Sequence, residues 1–200
     1  MFTENFNQDY TNTALSADGI ANDVAYSGGG YALTDDGADD DLGHLITILG
    51  NAATNHSAKT FTITGTDAND KSLTEGIAGP NGNVTVTSTK YFKTVTSVTV
   101  DSTTAGDTFD IGWTAGAVSP WVFTTQYKYE NFLIGFGCAV ISGSPTYSVQ
   151  HSFDGGMQAF THNAVSAETT SQTDSYAFPV LAVRMAFTVA GRVKMFGMVA

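Results

Sequence analysis

The chain has 200 residues, 42% of them apolar, and carries 8 Lys and Arg against 19 Asp and Glu for a net charge of −11. That apolar content suffices for one or two packed domains and excludes a disordered chain, while the shortage of cations excludes a broad phosphate-binding face. Cys138 is the single cysteine, so no internal disulfide can form and the fold must stand on packing alone. The 21 glycines, the scarcity of Leu, Glu, Lys and Arg, and the abundance of Thr, Val, Ser and Phe favour strands and tight turns over helices.

In chain order, residues 1–22 are polar with scattered Phe2, Phe6, Tyr10 and Leu15. They read as an extended arm that orders against a partner, with Phe2, Phe6 and Tyr10 as its contact residues, and whose removal leaves a folded body. The start also lacks the basic stretch and apolar run of a signal peptide, and no window holds the roughly 18 uninterrupted apolar residues of a membrane helix. The expectation is synthesis in a cytoplasm, with neither membrane nor nucleic acid as partner.

DVAYSGGGYAL reads as a strand broken by a glycine bulge or turn, and HLITILG as a central strand apolar on both faces. TFTITGT alternates, with Phe61 and Ile63 on the buried face. KSLTEGIAG is a strand, and GPNG is a turn in which Gly82 supplies positive φ. NVTVTST, YFKTVTSVTVD (two strands or one bent strand) and DTFDIGW complete a set at spacings of roughly 8 to 12 residues, the pattern of an antiparallel sandwich or barrel. After Ser119-Pro120 a second β set begins, in which the GSPT and AGR segments read as turns between separate strands. The expected fold is all-β: an N-terminal arm (1–22) and two small antiparallel β-sandwich or jelly-roll-like modules (23–117 and 118–200).

Chemistry is harder to find. Asp35, Asp36, Asp39, Asp40 and Asp41 offer hard oxygen ligands of the kind calcium takes, but lack the spacing and closing Glu of a helical calcium loop, and read as a solvated turn. His44, His56, His151 and His162 show no short metal-ligand spacing, and Cys138 in IGFGCAVI reads as a buried, inert thiol. Glu75, Asp110 and Glu130 are the strand acids that a glycoside hydrolase could pair, without a spacing that favours it. The GGG at 28–30 lacks the helix and Lys of a phosphate loop and reads as backbone geometry. Trp113, Trp121, Tyr127, Tyr129, Phe153 and Phe160 are core aromatics or, if exposed, a sugar-binding or protein-binding face. No catalytic residue, cofactor or metal is expected, and no enzyme activity.

DDDLGHLITILGNAATNHSAKTFTITGTDANDKSLTEGIAGPNG, with STKYFKTVTSVTVD and FDIGW, resembles a module recurring in virion proteins of tailed bacteriophages. TYSVQHSFDGG with FPVLAVRM resembles a second module that accompanies it, so the likeness spans about residues 45–200. Two departures are Asn69-Asp70-Lys71, where the family turn ends in Gly, and Gly76 in mid-strand. The resemblance implies a non-enzymatic structural protein of the virion, most simply a capsid decoration (cement) or head-fibre protein. It would bind the major capsid protein on the outside of the head and stabilise it, as a homo-oligomer for which a trimer suits capsid symmetry. The alternatives are a carbohydrate- or receptor-binding module of a phage fibre, or a neck or tail component.

Overall fold

The computed structural model describes residues 4–124 and 134–199, and every regular element among them is a strand. The chain divides into two compact units, one formed by residues 14–117 and the other by the N-terminal residues through 13 together with 118 onward.

The unit of residues 14–117 is a two-layer antiparallel sandwich. One sheet holds β2 (Ser16–Ala25), β8 (Thr108–Val118), β3 (Gly43–Gly50) and β6 (Thr85–Phe92), in that order. The other holds β5 (Ser72–Ala78), β4 (Thr60–Thr66) and β7 (Thr94–Val100). β3 lies between β8 and β6 with no exposed residue, which is why both of its faces are apolar. Phe61 and Ile63 of β4 alternate inward against Ile46 and Ile48 of β3, Phe109 and Ile111 of β8, and Val95 and Val98 of β7. Tyr31, Phe61 and Phe109 form an aromatic centre, with ring centroids 5.2 to 5.8 Å apart. Aromatic contacts of this kind add to the apolar area they remove from water.

Turns behave as their residues dictate. Gly28 (φ 63°) and Gly29 (φ 105°) make a two-residue turn closed by paired backbone bonds between Ser27 and Gly30. Gly82 has φ 72°, as the GPNG signal predicts. At the Asn69-Asp70-Lys71 departure, Asp70 takes the left-handed conformation itself (φ 61°), which Asp tolerates better than most residues. Lys93 separates β6 from β7, resolving YFKTVTSVTVD as two strands that join different sheets.

The other unit is built on two long antiparallel strands, β10 (Ile134–Ser152) and β13 (Ala182–Val199). The GSPT and AGR segments, expected to be turns between separate strands, lie inside them. Gly143 and Gly191 face each other across the ladder, and the register shifts between Val140 and Tyr147. Gly143 has φ 76°, and a Cβ on Gly191 would stand 2.7 Å from the Pro145 ring. Both chains therefore turn a corner here without reversing, as a β-bulge allows. The corner brings the two halves of the ladder over one another: Cys138 Sγ, from the first half of β10, lies 4.0 Å from Met185 Sδ, opposite its second half. A sandwich-like core thus forms from one hydrogen-bonded sheet. β12 (Gln172–Tyr176) and β11 (Phe160–Thr161) extend the β10 edge, and β9 (Val122–Phe123) pairs with β13.

The N-terminal segment is not the free arm expected of residues 1–22. β1 (Glu4–Asn12) runs along β13 from Glu4 opposite Val199 to Asn12 opposite Gly191, while β2 belongs to the first sandwich. Arg192 clamps β1 through two bonds to Asp9, of 2.9 and 2.6 Å. Removing residues 1–22 would strip a strand from each unit, because these polar side chains sit on backbone whose donors and acceptors are already used.

Candidate functional site

Of the three arm residues, Phe2 lies outside the described residues. Tyr10 is buried, and burial raises its pKa against a hydrogen bond from Ser119 that lowers it. It is a core side chain rather than an exposed anchor, because its strand position opposite Val193 faces inward. Phe6 is half-buried and lines an apolar groove of about 490 Å³ with Phe136, Phe196, Thr173, Asp174 and three glycines. A Cβ on Gly197 would stand 2.2 Å from the Phe6 ring, and one on Gly137 2.7 Å from that of Phe196. Each ring therefore packs directly on glycine backbone, in space that any side chain at that position would take.

A second concavity, of about 590 Å³, is formed by the far end of β10 and the segments beside it. Phe153, Phe160 and Phe178 line it at 48%, 45% and 46% exposure, above His151 at 7%. His151 touches all three rings and Tyr176, with centroids 5.1 to 5.8 Å away. The remaining walls of the concavity are Thr161, His162, Asn163, Asp174 and Ser175, with Ala164 the one apolar residue among them. Each half-exposed Phe forgoes roughly half of the 1.5–3 kcal/mol that full burial supplies.

Local sequence explains why these rings stay out. In the SFDGG turn the buried Ser152 hydroxyl donates to Asp154 at 2.6 Å, and the Gly156 and Gln158 N–H groups donate to Ser152 and Asp154. These bonds hold the Asp154 carboxyl below its usual pKa, the one from Ser152 contributing most, and fix the turn that presents Phe153. Phe160 is placed by its pairing with His151. The same pairing brings His162 beside His151, eleven positions apart in a sequence that shows no ligand spacing.

His151 Nδ1, His162 Nδ1 and the Tyr176 hydroxyl are buried without a hydrogen-bond partner, although His162 Nδ1 lies 3.8 Å from Asp174 Oδ2. Burial, aided by the nearby His162, lowers the pKa of His151. The unfolded chain takes up this proton near pH 6.5, so the native state holds fewer protons just below that pH. The stability His151 contributes is intact above about pH 6.5 and is lost as pH falls through the lowered native value. Its imidazole resonances in a proton NMR titration should show a midpoint below 6.5; a midpoint at or above that value would contradict the burial argument.

The other candidates serve the scaffold. His44 is buried, with Nδ1 2.9 Å from the Thr114 carbonyl and Nε2 2.9 Å from Asp40, so it ties the acidic loop to β8. His56 meets Asp107 at 3.0 Å, and Asp107 is held low in pKa by bonds from Thr54 and His56. Lys93 pairs with Asp41 and Asp70. Asp35, Asp36 and Asp39 remain, their oxygens able to approach within 4.8 Å, all three exposed, as carboxylates in water commonly are without an ion. Asp110 accepts from the Asp23 N–H and the Asn51 amide, and Glu130 lies outside the described residues. Trp113 and Trp121 are core, with the Trp113 indole N–H donating to Ala14 and Arg184 stacked 4.4 Å over Trp121. Tyr127 and Tyr129 lie outside the described residues. Cys138 is buried and its thiol is pushed up to about 12, too high for a nucleophilic thiolate.

Sequence reasoning missed Phe178, Asp174 and Phe196, for which the only signal was an apolar or acidic letter in a polar stretch or strand. It also missed Glu75 as a structural residue. Glu75 is buried in β5 and accepts from the Thr89 N–H and hydroxyl and the Lys90 N–H, at 2.7 to 2.9 Å. Compared with models of known protein families and with curated protein sequences, the chain matches none.

Proposed function

We propose that this chain is a non-enzymatic structural protein of a tailed-phage virion, of the capsid decoration type, which docks on the outer surface of the head and stabilises the shell. The major capsid protein is its partner, and a homo-oligomer, with a trimer to suit capsid symmetry, is its working form. The observation that best supports the reading is the groove lined by Phe6 and Phe196. Partly exposed aromatic rings packed on glycine backbone give an apolar groove, and exposed apolar surface of this kind is what protein partners cover. The resemblance of both halves of the chain to virion modules supplies the particle to which it belongs.

The test is decoration of heads assembled without this protein. Purified full-length chain should co-sediment with them to saturation. Phe196→Ser should weaken binding about 30-fold, the effect of losing an interface hot spot of roughly 2 kcal/mol, while it keeps a cooperative thermal transition lowered by only a few degrees for the half-buried ring it loses. Co-sedimentation with isolated tails alone would overturn the proposal, and so would full binding by the Phe196 variant.

A further inference from the structure

We infer that the basin formed by Phe153, Phe160, Phe178, Thr161, Asn163 and Asp174 binds a neutral sugar residue of a glycan. The inference is independent of the virion proposal, because the basin and the Phe6–Phe196 groove are separate concavities that share only Asp174.

The chemistry of the walls selects the ligand. A pyranose ring has apolar C–H faces and a hydroxyl edge, so its site needs an aromatic platform beside hydrogen-bonding groups. The three phenyl rings provide the platform: Phe153 lies 5.7 Å from Phe160 and 5.9 Å from Phe178, its ring tilted 54° and 36° against theirs, so the cluster offers apolar faces at more than one angle. Phe153 and Phe160 are exposed although their backbone is held by the SFDGG turn and the β10–β11 pairing, so these two rings are presented rather than left over from poor packing. The edge is provided by the Thr161 hydroxyl, the Asn163 amide and the Asp174 carboxylate, an acceptor suited to sugar hydroxyls.

Charge narrows the class further. Among the described residues the lining contains no Lys or Arg and includes one carboxylate, in a protein of net charge −11. Phosphorylated, sulfated and sialylated ligands would therefore meet repulsion. A wholly apolar peptide would dehydrate the Asp174 carboxylate, of which, among the described residues, only Oδ1 is bonded, by the Ser175 N–H, and the Asn163 amide without offering either a new partner. The volume, about 590 Å³, is within the range of small-molecule sites and takes one or two sugar rings.

The experiment is an array of neutral, sialylated and sulfated glycans probed with the full-length protein, followed by calorimetric titration of the best neutral oligosaccharide. The expected result is retention of neutral glycans, at least a tenfold loss of affinity in Phe160→Ala and in Asp174→Asn, and unchanged affinity in Phe196→Ser. Phe160→Leu, which keeps apolar bulk without the aromatic face, should lose affinity as well while its melting temperature stays in place, and so covers the case of an alanine variant that does not fold. Retention of no glycan, or of anionic glycans only, would overturn the inference. Undiminished binding by both Phe160 variants would do the same. If Phe160 variants fail instead to decorate capsids while no glycan binds, the basin is a protein contact and the sugar assignment is wrong.

Discussion

Phe61→Ala should cost the sandwich of residues 14–117 about 3–5 kcal/mol, the usual penalty for emptying a buried aromatic site. Phe61 is fully buried, stacks with Tyr31 at 5.8 Å and meets Phe109 edge-on at 5.2 Å. Its neighbours cannot close over the gap. It is the second residue of β4, paired with Ile77 of β5 on one side and Val100 of β7 on the other, so the backbone around it is fixed by two ladders. Gly79 lies against the ring, close enough that a Cβ there would stand 2.6 Å away. The measurement is urea denaturation followed by Trp113 fluorescence in a Trp121→Phe background. Phe61→Leu, which refills much of the volume, should lose distinctly less. A loss below about 1 kcal/mol for the alanine variant would show that this aromatic centre does not carry the core.

Glu75→Ala should cost about 3 kcal/mol, more than its place in a polar strand suggests. Hydrogen bonds to a charged group are worth about 1.5–3 kcal/mol each way of counting, and donors stranded by its removal add their own desolvation. Two backbone N–H groups and one hydroxyl, from Thr89 and Lys90, depend on this carboxylate. Glu75→Gln keeps Oε1 for Thr89 but turns an NH2 group toward the Lys90 N–H, so it should lose roughly half as much. The pair of variants separates a brace between β5 and β6 from an idle surface acid, since an idle acid would tolerate both changes within about 0.5 kcal/mol. It also reassigns one of the three strand acids, Glu75, Asp110 and Glu130, that the sequence offered for paired-carboxylate chemistry: its oxygens are spent on Thr89 and Lys90.

How much was legible beforehand depended on range. Alternation in TFTITGT placed Phe61 and Ile63 on the core face, and β4 has them there. Two-faced apolarity in HLITILG marked a central strand, and β3 is one. The same reasoning misjudged GSPT and AGR, because glycine and proline mark a change of direction without saying whether the chain reverses or turns a corner. Only the pairing of Gly143 with Gly191, 48 positions apart, turns two apparent breaks into one bend shared by two strands.

The candidate sites were less legible still. Phe6 was singled out as a contact residue, yet the groove that gives it meaning needs Phe196 and three glycines from distant strands. Phe153 and Phe160 were noted as aromatics with a choice of roles, but their exposure follows from a turn held by Ser152 and Asp154. His151 and His162 appeared unrelated until β11 folded back on β10.

By itself, then, the sequence determined the all-β class, the strand faces, most turns and the absence of disulfide support. These depend on residues within a few positions of one another, where side-chain period and backbone sterics act directly. The tertiary structure alone decided that the N-terminal residues pair with the far end of the chain, that Glu75 and Tyr10 are interior, and that three phenyl rings and a carboxylate share one basin. A side-chain pattern records which face of a strand is buried but not which strand lies beside it, and both concavities are made where strands from distant segments meet.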